Sequence, residues 1–310
     1  MQIRRASSED IPKIISLLKS SLGESLLPKS VEFWNWKHLQ NPFGESPVLL
    51  ACEADEIIGV RAFLRWEYQE GNQKYKALRA VDTAVHPNYR GKGLFTKLTT
   101  QLIDEVKKDG FDLIFNTPNE KSLPGYLKMG WEKWGKLPLK VKLKGPKKSK
   151  KTTKTKKWEE IADLITKLEN SPPGLEEVRT SLVPGYIDWR YRDCPIVDYQ
   201  FVSDGETYLM IYRLKEGKKG MELRIVDLFY HSGFGKKQKE LLRKEFNQAC
   251  KNSGAIWISF SGLNYDSGIL NLGLVPILDR GPLVTLRKLR EDLNPTNLNW
   301  KWSLGDLELF

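Results

Sequence analysis

Three scarcities set the first limits on this chain of 310 residues. It has no unbroken apolar run of the ~18 residues that a membrane-spanning helix needs, so no span is expected. Its cysteines, Cys52, Cys194 and Cys250, lie far apart with no Cys-x-x-Cys pair. That excludes a disulfide framework or a zinc ribbon and leaves reduced thiols, and with them a cytoplasmic location, as the expectation. His38, His86 and His231 are the only histidines, too few for a multi-histidine centre, and no metal is expected. The first residues, Met1 to Asp10, turn polar where a secretion signal needs an apolar stretch, so none is read.

Acidic residues are also unevenly placed. From Lys140 to Lys157 the chain carries ten lysines and no acid, which accounts for nearly all of its net charge of +11. The remainder is close to neutral, which removes a general basic surface. The core of this stretch, Lys144 to Lys157, lacks aromatics that stack bases and arginines that fork onto phosphates, and no nucleic-acid partner is expected. The first reading is a self-repelling, solvated linker over residues 143–157. Contact with an anionic surface is the second.

What is present alternates between strand and helix. Gln2–Arg5 reads as a short strand, and Ile11–Leu18 as a helix with apolar residues at helical spacing. Val48–Glu53 and Ile57–Leu64 read as a hairpin turning at Ala54-Asp55-Glu56. Lys76–Val85 is a further strand, Phe95–Val106 a helix and Phe111–Phe115 the next strand. The pattern predicts a mixed α/β (α+β) domain over residues 1–142.

The second half repeats landmarks of the first. Trp36-Lys37…Pro42 matches Trp189-Arg190…Pro195, Leu78-Arg79-Ala80-Val81-Asp82 matches Leu223-Arg224-Ile225-Val226-Asp227, and Gly125…Gly130-Trp131 matches Gly268…Gly273-Leu274. Three collinear matches at offsets of 153, 145 and 143 residues point to a diverged duplication, with a second domain over residues 158–290 and a tail over 291–310.

The strongest local signal is Val85-His86-Pro87-Asn88-Tyr89-Arg90-Gly91-Lys92-Gly93-Leu94-Phe95, between a strand and a helix. Glycines admit close backbone approach, and the open N–H groups of a helix N-terminus favour a pyrophosphate. With Arg90 and Lys92 alongside, the segment reads as a phosphate cradle rather than a plain turn. Here the chain resembles the GNAT superfamily of acetyl-CoA-dependent N-acetyltransferases, whose signature runs from Val-x-Pro through Tyr-Arg-Gly-x-Gly into a helix. Asn116 to Trp131, with Asn119 and Tyr126-Leu127-Lys128-Met129-Gly130-Trp131, looks like a second element of that family. One departure is Phe95, which stands where the family's pattern ends on a small residue.

The resemblance implies two tandem GNAT-like domains, acetyl-CoA as co-substrate and an amine acceptor. It implies that Val85 would hold the pantetheine arm, that Arg90, Gly91, Lys92, Gly93, Leu94 and Phe95 would surround the pyrophosphate, and that Asn119 would touch the coenzyme near its thioester. Tyr126 would be the general acid for the leaving thiolate, a job that suits a phenol; on packing grounds alone it would be a core aromatic. For the general base Asp82 comes first and His86 second. Asp227 recurs at the position of Asp82, so a structural carboxylate is an equal reading, and the base stays unassigned. The second copy reads His231-Ser232-Gly233-Phe234-Gly235 in place of the cradle and Ile269 in place of Tyr126, and is expected to lack catalysis and to help build an acceptor cleft. Trp34 and Trp66 read first as packing residues and second as the lining of a carbohydrate or apolar site. Trp300, Trp302 and Phe310 are expected to dock the tail. The expected function is acetyl transfer to a small-molecule amine such as an amino sugar. A longer-acyl or aminoacyl transferase and a non-catalytic binding protein acting through the lysines are the alternatives.

Overall fold

A computed structural model of the chain describes residues 1–23, 28–144, 156–171, 176–217, 220–263, 272–277 and 279–307. The middle of the lysine-rich stretch, Ile269 and Phe310 lie outside these residues. The first half runs β1 (Gln2–Arg5), α1 (Ile11–Leu22), α2 (Val31–His38), β2 (Val48–Glu53), β3 (Glu56–Glu70), β4 (Gln73–Val85), α3 (Leu94–Lys108), β5 (Leu113–Asn116), α4 (Leu123–Lys128), β6 (Glu132–Lys136) and β7 (Leu139–Leu143). The second runs α5 (Ala162–Glu169), β8 (Arg179–Thr180), β9 (Tyr199–Ser203), β10 (Tyr208–Gly217), β11 (Gly220–Tyr230), α6 (Lys236–Asn252), β12 (Trp257–Ser261), β13 (Val275–Ile277), β14 (Leu283–Lys288) and α7 (Leu304–Leu307).

Local sequence accounts for the elements. α1 carries Pro12 in its first turn, where the missing N–H has no helical partner to lose. It buries Ile11, Ile14, Ile15, Leu17 and Leu18 on one face. Ser30 caps α2 by accepting from the Phe33 N–H at 3.1 Å. α3 buries Leu94, Leu98, Leu102, Ile103 and Val106 at the same helical spacing. The β3–β4 hairpin is longer than its sequence suggested, because β8 of the second half pairs its far end, Tyr68 opposite Thr180. Past Leu64 the alternation of Arg65, Glu67 and Gln69 with Trp66 and Tyr68 is that of a strand buried on one face only.

The fold is mixed α/β with two mixed sheets. One has the order β1-β2-β3-β4-β5-β14-β6, with β8 on β3; the other has β13-β7-β12-β11-β10-β9. The halves exchange strands. β14 lies between β5 and β6, with Thr285 opposite Asn116 and Leu283 opposite Lys136. β7 lies between β12 and β13, with Leu143 opposite Trp257 and Val141 opposite Val275. The sheets therefore do not divide where the sequence ranges 1–142 and 158–290 divide. The stretch read as linker from residue 143 starts inside β7, and the Lys144 N–H still donates to the Ile256 carbonyl at 2.7 Å.

The repeat is visible in geometry. β4 and β5 pair in parallel over Ala77–Arg79, and β11 and β12 over Glu222–Ile225. Each central hairpin carries a register break, at Arg61/Ala62 and at Ile211/Tyr212. Between the halves Trp36 and Trp189 stack, with ring centroids 5.2 Å apart. The Trp36 indole N–H donates to the Trp189 carbonyl at 2.7 Å, and the Trp189 indole N–H to the Trp36 carbonyl at 2.8 Å. They sit in one apolar core that joins Trp66, Tyr68 and Phe115 to Tyr186, Tyr199, Trp300 and Trp302. The tail docks as expected through Trp300 and Trp302, stacked at 4.2 Å and both buried.

Because each sheet is completed by the other half's strand, residues 1–144 alone should fail to fold, as seen by the loss of dispersed amide signals. Cleavage of the whole protein between Lys144 and Lys156 should instead leave two fragments that co-elute as one folded species. A folded, monomeric 1–144 fragment would contradict the exchange.

Candidate functional site

The site begins where two strands part. β4 runs on to Val85, but its parallel pairing with β5 stops at Arg79 opposite Phe115. At this fork Arg79 donates to the carbonyls of Asp306, at 2.6 Å, and of Leu307, and to the Thr117 hydroxyl at 3.2 Å, so the tail is tied to the splay.

Beyond β4 the chain makes a nest. Gly91 (φ 75°) and Gly93 (φ 74°) are both left-handed, and Gly93 caps α3 with no side-chain bond. A Cβ at either glycine would meet nothing within 4 Å. Glycine is required here by the backbone, not by crowding, and open space lies over N–H groups at the start of a helix of 15 residues. Arg90, exposed, donates to the Val85 carbonyl at 3.3 Å and the Ser21 carbonyl at 3.0 Å. Lys92 lies over the Tyr89 ring at 4.9 Å. Leu94 turns its side chain into the core, leaving its N–H at the helix start. Asn119 is exposed, and its side-chain oxygen accepts from the Ser122 N–H at 2.9 Å, shaping the turn into α4. The second copy has no such nest: α6 starts after Gly235 in an extended conformation (φ −92°, ψ −167°).

Phe95 connects the nest to Tyr126. Its ring meets the Tyr126 ring edge-on at 5.7 Å, and a Cβ on Gly125 would lie 3.2 Å from it. The bulky residue in the cradle is thus matched by a glycine beside Tyr126. Tyr126 is buried, packs against Trp131 at 5.0 Å, and its oxygen accepts from Arg61 Nη1 at 3.0 Å. Sequence reasoning missed Arg61, although a charged residue within the apolar run Ile57–Leu64 was the available signal.

Asp82 stands apart from this cluster in its bonding. It sits at positive φ (37°) and takes Lys37 Nζ at 2.7 Å and His38 Nε2 at 2.8 Å. Burial alone would raise its carboxyl, but the Lys37 charge and the His38 bond outweigh this and hold it well below the usual range. Burial in turn lowers His38 and Lys37. At the matching position Asp227 accepts from the Tyr191 hydroxyl at 2.7 Å and the Ser303 hydroxyl at 2.8 Å, and burial raises its carboxyl, the opposite of Asp82. A carboxylate held so far below its usual range by Lys37 and His38 is a poor proton acceptor. His86, partly exposed, accepts from the Asn88 N–H at 3.3 Å and so shapes the turn after β4. Trp34 and Trp66 are both buried, so the packing reading of each holds. Among the described residues no group of His, Cys, Asp and Glu is placed to hold a metal ion.

A cavity of about 660 Å³ opens between the hairpin end at Gln69 and Lys74, the end of α5 and the tail, with Asp227 and Asp306 in its wall. Burial first, and Asp227 second, push the Asp306 carboxyl up to about 7.

Residues 2–134 match the family model of an acetyltransferase (GNAT) domain. Among curated proteins no sequence matches the chain. Among solved structures, a conserved Enterococcus faecalis protein of unknown function, given as a probable N-acyltransferase, is 14% identical with a TM-score of 0.65, covering 93% of this chain and 72% of its own. A GCN5-related N-acetyltransferase of Anabaena variabilis is 15% identical with a TM-score of 0.60, covering 93% and 73%. Saccharomyces cerevisiae N-myristoyltransferase with bound myristoyl-CoA is 13% identical with a TM-score of 0.55, covering 96% and 86%. At such identities the likeness concerns the fold.

Asp82→Asn should leave Lys37 buried without its counter-charge and cost about 3–5 kcal/mol in denaturant unfolding; unchanged stability with a lost rate would restore Asp82 as a base. For Asp306 the sign is opposite to that of an ordinary salt-bridged carboxylate. Its raised value means the native state keeps a proton that the unfolded chain releases from about pH 4 upward, so its contribution to stability falls as pH rises toward 7. Asp306→Asn should flatten the stability curve over that interval; parallel curves for variant and wild type would refute the assignment.

Proposed function

From an N-terminal domain that belongs to the GNAT superfamily, we propose that this protein transfers an acetyl group from acetyl-CoA to a small-molecule amine. The observation that carries this reading is the pairing of the left-handed Gly91–Gly93 nest at the start of α3 with the buried Tyr126, one aromatic ring away. In the reading, the nest, Arg90 and Lys92 hold the pyrophosphate, and Val85 and Asn119 flank the pantetheine arm along the parting of β4 and β5. The amine attacks the thioester carbonyl, the C–S bond breaks with its electron pair passing to sulfur, and Tyr126 gives sulfur its proton. The proton lost by the amine leaves through a base other than Asp82.

The acceptor, in this reading a small amine such as an amino sugar, would meet the thioester beside Tyr126; the cavity beside the tail reaches the other end of β4 at Lys74, about 36 Å along the strand from Val85. Its lining cations are already matched: Lys74 by Glu67, and Arg179 and Lys301 by Glu177.

Saturating acetyl-CoA should raise the melting temperature by mass action, and a panel of acyl-CoA lengths should rank acetyl first. No shift with any acyl-CoA would end the reading, whereas a shift with long chains alone would favour a longer-acyl transferase. Tyr126→Phe should keep acetyl-CoA affinity and lower the single-turnover rate about 10²–10⁴-fold. An unchanged rate removes Tyr126 from the chemistry.

A further inference from the structure

Arg61 lies on β3, and its side chain has no exposed surface. Its guanidinium is enclosed by aromatic faces, with Cζ 4.7 Å from the Phe63 ring centroid, 5.4 Å from that of Tyr126 and 5.7 Å from that of Phe95. Only Nη1 is engaged: it donates to the Tyr126 oxygen at 3.0 Å and to the Thr83 hydroxyl. Among the described residues Nε and Nη2 have no hydrogen-bond partner, and no carboxylate pairs with the charge.

Such a group is costly to bury. An ionised side chain inside a protein is ordinarily answered by an opposite charge, and each unmet N–H adds to the penalty. By contrast, Lys37 has Asp82, and Arg190 donates to the Gly305 carbonyl at 2.9 Å and the Tyr199 hydroxyl at 3.1 Å. The unmet donors of Arg61 thus call for an electron-rich atom brought in by a ligand, at a point within reach of the Tyr126 hydroxyl.

We propose that Arg61 is a catalytic residue that binds the sulfur of CoA, facing the negative charge that collects there as the thioester C–S bond breaks. The inference rests on the acyl-CoA reading above and deepens it. Tyr126 and Arg61 then divide one task. Because Nη1 donates to the phenol oxygen, it occupies a lone pair and leaves the phenolic proton to point elsewhere. The electron pair of the broken bond goes to sulfur, the guanidinium N–H groups bond to that sulfur, and the Tyr126 proton completes the thiol. The proton given up by the attacking amine restores the phenol by way of solvent, so one acyl-CoA and one amine become one amide and one CoA thiol.

The test uses the whole protein with CoA, and with desulfo-CoA as the ligand without sulfur. The thiolate absorbance of bound CoA, taken as the difference between the two complexes, is titrated with pH. In wild type the bound thiol should ionise about one to three pH units below the ~8.5 of a free thiol, the effect of a cation within ~4–6 Å. Arg61→Met should abolish this shift, and Arg61→Lys should retain part of it. Desulfo-CoA should bind all three proteins alike, since the nucleotide end is untouched. A wild-type thiol that titrates at its free value overturns the proposal whatever the variants do, and so does an equal shift in folded Arg61→Met. Failure of both CoA and desulfo-CoA to bind wild type would instead reject the acyl-CoA reading, and with it this inference.

Discussion

The structure depends on an exchange of strands between its halves. A sheet edge presents a row of unpaired backbone groups, and β5 and β6 would each present one without β14 between them. β7 does the same service in the other sheet, between β12 and β13. The exchange also governs chemistry. α4, which carries Tyr126, is the connection between β5 and β6, so the separation of its two ends is set by a strand from the second half. Arg287 of that strand donates to the Met129 carbonyl at the end of α4. The half without a nest still helps to hold the phenol in place.

The glycine turn before α3 was legible because it depends on local order, glycines at fixed spacing before a helix, and Tyr126 was placed beside it by the short turn into α4. The duplication was legible through Trp36/Trp189 and Asp82/Asp227. The exchange was not, because Leu283–Lys288 has the same apolar pattern whichever sheet receives it, and pairing choice is settled by contacts far apart in the chain, as between Thr285 and Asn116, 169 residues apart. In the sequence Lys37 stands only as the basic residue after Trp36, and His38 as one of three scattered histidines. Their bond to Asp82 spans more than forty residues and could not be inferred from spacing. Arg61 belongs to no motif. Its single mark was a charge among Val60, Ala62, Phe63 and Leu64.

Each half carries an aspartate on the second strand of its central hairpin, Asp82 on β4 and Asp227 on β11. Asp82 takes Lys37 and His38 of α2, whereas Asp227 takes the hydroxyls of Tyr191 and Ser303. The first set fixes α2, which carries Trp36, against the central hairpin. The nest is kept in one copy only. The stacked tryptophan and the strand aspartate occur in both halves, whereas the left-handed glycine pair before a helix occurs, among the described residues, in the first alone.

The indoles of Trp36 and Trp189, each donating to the other's own carbonyl, form a contact of the isologous kind, in which residue i meets j as j meets i. Two identical subunits make such a contact across a dyad, where every substitution is imposed on both sides at once. Joining the copies in one polypeptide removes that obligation. One side can shed its glycine turn while its twin keeps it, and a symmetric assembly becomes a division of labour within a single molecule.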